Sequence, residues 1–86
     1  MGTKNNPGAY DCYANALPDE PTFTLLARDP DFFRLVRKWA KRRSQDVQSG
    51  VRPQSDMTMV AEAEQCAYDG REWRRKNNGA WRKQPS

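Results

Sequence analysis

Histidine is missing altogether from this chain of 86 residues, and cysteine occurs only twice, at Cys12 and Cys66. The first absence removes the side chain that titrates near neutrality, so acid–base or nucleophilic catalysis would need a strongly shifted Cys, Lys or carboxylate. Asp19 and Glu20 are adjacent, and Tyr10, Asp11, Cys12 and Tyr13 crowd together, but helix capping and burial account for these residue types without chemistry. With two thiols and no imidazole, a closed zinc site lacks its usual ligands. Neither a G-x-x-x-x-G-K nor a G-x-G-x-x-G run is present to cradle phosphates. No catalytic residue, metal, cofactor or small-molecule substrate is expected.

Long apolar runs are also lacking. None approaches the roughly 18 residues that cross a bilayer, and MGTKNNPGAY has no apolar core of a signal peptide. Gly2 follows Met1, but Asn6 stands where a myristoylation signal carries Ser or Thr. These features predict a cytoplasmic chain with no membrane partner and with both thiols reduced.

What the chain does have is charge and aromatic surface. It carries a net charge of +4 with 30% charged residues, against 36% hydrophobic ones. A chain of this length forms one domain and buries roughly 60% of the surface it exposes when unfolded. Its apolar residues must therefore share a few faces. The charge is uneven: residues 1–27 sum to −2, 28–43 to +5, 52–70 to −3 and 71–86 to +5. Two basic blocks flank an acidic segment.

The stretch DPDFFRLVRKWAKRRSQDV, residues 29–47, has the clearest helix signals. Asp29 can cap, Pro30 suits a first turn, and Gly50 supplies the backbone freedom for a C-terminal stop. Phe32, Leu35, Val36, Trp39 and Ala40 recur at spacings of three and four and share one face, with Arg34, Arg37, Lys38, Lys41 and Arg42 on the other. Spacing alone does not decide whether Phe32 or Phe33 turns inward. Upstream, Asp19, Glu20 and Pro21 read as the start of a short helix over about 20–28, which Asp29-Pro30 ends at a sharp corner. Downstream, Ser55 or Asp56 can cap a helix over about 56–76, in which Val60, Ala63, Cys66, Ala67 and Gly70 form a stripe of small residues. Gly70 is either a contact point inside that helix or its end.

The expected architecture is all-α: a small three-helix domain with an irregular N-terminal arm and a basic C-terminal tail. Its parts are a flexible leader at 1–9, one helical domain at 10–76 with helices at about 20–28, 30–48 and 56–76, and a tail at 77–86. Tyr10, Tyr13 and Leu17 should anchor the arm. The core should hold Phe23, Leu26, Phe32, Leu35, Val36, Trp39, Val60, Ala63, Cys66 and Ala67.

The runs YDCYANALPDEPTFTLLARDP at 10–30, LVRKWAKRR and VAEAEQCA resemble a group of short proteins encoded by tailed bacteriophages and prophages. The resemblance covers most of residues 10–67. It implies a phage protein working in a bacterial cytoplasm, and it implies no particular activity. The basic tail after Asp69 lies outside it.

Two binding functions fit the residues. Arg and Trp are favoured anchors of protein interfaces, so the first expectation is docking on a host or virion protein. The alternative is nucleic-acid binding, with Arg34, Arg37, Lys38, Lys41 and Arg42 meeting phosphates and with Arg71, Arg74 and Arg75 joined by Trp73 and Trp81, on which bases could stack. A pI near 9.4 is the footprint such binding leaves. Salt separates the two, because phosphate contacts weaken steeply with ionic strength and a desolvated Trp-centred interface does not.

Overall fold

Small side chains decide how closely two helices can approach, and the stripe Val60, Ala63, Ala67 and Gly70 is buried along its whole length. The structure is a computed structural model and describes residues 1–77. Among the described residues it is all-α, with three helices: α1 (Cys12–Asn15), α2 (Phe32–Gln48) and α3 (Asp56–Lys76). The last two pack as an antiparallel hairpin. Phe32 at the start of α2 lies over Gly70 late in α3, whereas Arg43 pairs with Asp56 at the start of α3.

Phe32 is the side chain that turns inward, and its ring edge occupies the space a Cβ on Gly70 would need. Gly70 is therefore an interior seat, and α3 continues past it to Lys76. Ala40, Val60 and Ala63 form the next layer, covered by Val36, Met57 and Met1. Val47 is buried near the far end of α2. Trp39 and Leu35, expected in the core, are 39% and 38% exposed. The reason is that α3 offers a narrow groove of small residues, which only the Phe32, Val36 and Ala40 stripe enters. Cys66 is half-buried at its margin.

The hairpin turn follows from Gly50. It has φ +82°, with Gly50 N–H donating to the Val47 carbonyl and Val51 N–H to that of Asp46, the paired bonds of a Schellman stop. The start of α2 comes two residues later than Asp29-Pro30 suggests. The Asp29 carboxylate instead accepts from Asp31 N–H at 2.8 Å, closing a turn ahead of the helix.

The helix expected over 20–28 does not form. Glu20 turns back so that its carboxylate accepts from Leu17 N–H at 3.0 Å, and the chain runs irregularly from there to the turn at Leu26–Asp29. An isolated helix this short is marginal without a face to bury, and Thr22 and Thr24 are β-branched. Phe23 is 87% exposed and Leu26 is exposed too, so neither joins the core. The helical turn lies earlier, at α1, where Asp11 caps by accepting from Ala14 N–H. Tyr13 and Leu17, expected as anchors, point to solvent, while Tyr10 is half-buried and its carbonyl accepts from the Met1 ammonium.

No helix among the described residues is long and apolar enough to cross a membrane.

Candidate functional site

A helix hairpin brings residues far apart in the chain onto one face, and here it joins the two basic blocks. On α2, Phe33, Arg34, Arg37, Lys38, Lys41, Ser44, Gln45 and Gln48 line an open groove, with Glu64 of α3 on its other bank. One turn beyond Glu64 comes Tyr68, and three residues later Arg71. The rings of Phe33 and Tyr68 meet edge to face, with centroids 5.2 Å apart and planes at 72°. Arg37 lies 5.4 Å from the Phe33 centroid and 5.5 Å from that of Tyr68. Arg71 lies 4.3 and 5.1 Å from the same two. Guanidinium groups at such distances are attracted by the negative ring faces. Arg37 belongs to the first basic block and Arg71 to the second, and the aromatic pair holds them together.

The remaining candidates separate by partner. Arg34 pairs with Asp31 at 3.4 Å and Arg42 with Asp46 at 3.4 Å, while Arg75 binds Glu72. These pairs are exposed, where an ion pair contributes on the order of 0–1 kcal/mol, so each cation could exchange its partner for another anion. The Arg75 hydrogen bond holds the Glu72 carboxyl below its ordinary range. Lys38 and Lys41 extend into solvent along the groove with no carboxylate partner among the described residues. Arg37 and Arg71 likewise have no ion-pair partner there.

Two described candidates leave this face. Arg74 is half-buried and turns toward Ala27, Asp29 and Pro30, beside Phe32. Trp73 stands two residues after Arg71, about 200° around the helix, and so faces away from the groove. Trp81 lies outside the described residues. Arg43 serves the fold instead: it lies 4.9 Å over Trp39 and binds Asp56, which Arg52 also holds at 3.0 Å.

Phe33 and Tyr68 are the site residues that reading the chain did not single out. The i, i+4 spacing of Phe33 with Arg37 and the i, i+3 spacing of Tyr68 with Arg71 were the available signals. The two thiols are both free, Cys12 exposed and Cys66 half-buried. Burial pushes the Cys66 thiol pKa up, the Met1 ammonium opposes this, and Asp69 and Glu62 add to it. No family model, curated protein or solved structure matches the chain.

Proposed function

We propose that this is a non-enzymatic nucleic-acid-binding protein that contacts the phosphate backbone through the α2–α3 face. The observation that carries this reading is the convergence of the two basic blocks. Arg37, Lys38 and Lys41 line one open groove with Arg34, and Arg71 meets Arg37 over the Phe33–Tyr68 pair; apart from Arg34, which pairs with Asp31, none of these cations has a carboxylate partner among the described residues. Cations with no internal counter-charge gain most from an external polyanion, because each phosphate neutralised releases condensed counterions. The resemblance of residues 10–67 to phage-encoded proteins supports a bacterial cytoplasm as the setting of this proposed activity.

Titrating a fluorescent duplex with the protein at several salt concentrations tests the reading. Four phosphate contacts predict a slope of log affinity against log salt of roughly −3 to −4, and each of Lys38→Gln and Lys41→Gln should flatten it by about 1. Absence of binding at low salt would refute it.

One further observation favours docking on a host or virion protein instead. The segment before α2 exposes Tyr13, Leu17 and Phe23, and residues 1–27 carry a net charge of −2. Three large apolar side chains left in solvent along one short segment offer a partner protein apolar surface to bury. A complex with a host protein that survives high salt and is lost in Phe23→Ser would support that second reading.

A further inference from the structure

The Phe33–Tyr68 pair has a geometry that goes beyond general basicity. Each ring has Arg37 and Arg71 within 5.5 Å of its centroid and the other ring against it, so its surface is already engaged. A base would have to displace a guanidinium to stack there. The distances of 5.4 and 4.3 Å to the same Phe33 centroid bound the two guanidinium carbons to within about 10 Å of each other. Like charges this close repel, and the negative ring faces offset that repulsion. A guanidinium attracted to an aromatic ring keeps its charge unpaired by any carboxylate, and its N–H fork matches phosphate oxygens in a way an ammonium does not. Neither Arg37 nor Arg71 donates a hydrogen bond among the described residues.

We propose that Phe33 and Tyr68 form an aromatic brace that presents Arg37 and Arg71 as a paired clamp for the phosphates of a nucleic-acid backbone. This rests on the nucleic-acid reading above and deepens it. Recognition through the clamp is independent of base identity and draws nothing from base stacking. Phe33 and Tyr68 are positioning residues: they touch the arginines, and the arginines touch phosphate. Glu64, on the opposite bank, repels an anion and sets the limit of the clamp on that side.

The test uses the full chain with a fluorescent mixed-sequence duplex, single-stranded poly(dA) and poly(dT), and polyglutamate as a carboxylate control, at several salt concentrations. Arg37→Gln and Arg71→Gln should each reduce the salt slope by about 1. Phe33→Leu and Tyr68→Leu keep every charge, so the slope should hold while affinity falls roughly two- to fivefold per ring removed. Tyr68→Phe keeps the ring and should bind as the parent does. Tyr68 is exposed, so its variants fold even if Phe33→Leu does not. Parent-like affinity in a folded Tyr68→Leu would overturn the brace while leaving the function standing. A tenfold preference between poly(dA) and poly(dT) would overturn backbone-only recognition. Failure of the parent chain to bind the duplex at low salt, or equal binding to polyglutamate, would overturn the nucleic-acid reading itself.

Discussion

Replacing Gly70 with alanine sets two effects of opposite sign against each other. Inside a helix, Ala is favoured over Gly by about 1 kcal/mol, so an unobstructed site would gain stability. Here the new Cβ would meet Phe32 Cδ1 at 2.9 Å and Cζ at 3.2 Å, with Cε1 closer still. Phe32 is 8% exposed and sits at the first residue of α2, so its ring has little room to withdraw. Overpacking of this kind costs about 1–3 kcal/mol, leaving Gly70→Ala neutral or destabilised by up to about 2 kcal/mol. In a Phe32→Leu background the ring edge is gone, and the same change should be stabilising by about 1 kcal/mol. The predicted coupling is therefore about 1–3 kcal/mol, read from a double-mutant cycle of urea unfolding followed by circular dichroism. Each kcal/mol moves the thermal midpoint of so small a domain by about 4–8 °C, so melting curves resolve it as well. If Gly70→Ala stabilises the parent and the Phe32→Leu variant equally, Phe32 is not seated on Gly70 and the packing of the hairpin is wrong.

Trp39→Ala should cost about 1–2 kcal/mol in urea unfolding, less than the 3–5 kcal/mol of a fully buried Trp, because the residue is 39% exposed and part of what it loses is the contact with the Arg43 guanidinium, 4.9 Å from the ring centroid. A loss above about 4 kcal/mol would contradict this half-exposed position. Asp56→Asn removes the charge that binds Arg43 and Arg52 in the first turn of α3, and should cost about 1 kcal/mol in low salt and less in 1 M salt. No change in the midpoint at low salt would mean that the two pairs do not hold the hairpin. Titration with a thiol reagent should modify exposed Cys12 first and Cys66 slowly. A raised thiol pKa favours the neutral form in the fold. That contribution is complete below the ordinary value of 9.0 and is lost as pH rises through the folded value, so Cys66 labelling should accelerate only in that alkaline range. Phe23→Ser should leave stability within about 0.5 kcal/mol in thermal melts, since its ring lies 87% in solvent.

The two long helices were legible because their signals are local. Period, caps and stops act within a turn or two of chain, and Gly50 and Asn77 end α2 and α3 close to where the pattern runs out. The small-residue stripe of α3 and the basic face of α2 were readable for the same reason. Local signals misled at Asp19 to Arg28, where a capping carboxylate and a proline resembled a helix start but no partner surface existed to make the helix stable. The choice of Phe32 over Phe33, the role of Gly70 and the exposure of Trp39 all depended on which stripe of α2 enters the groove of α3. That is a question of shape between elements roughly 20 to 40 residues apart, and no property of either element alone answers it. The candidate site divides likewise. Charge blocks can be summed from the sequence, but the meeting of Arg37 with Arg71 over Phe33 and Tyr68 exists only once the hairpin has closed. The sequence by itself determined the two long helices and which surfaces are basic, because those follow from interactions along one chain segment. The tertiary structure decided which side chains are buried and which charges act together, because burial and proximity across the hairpin are properties of pairs of faces.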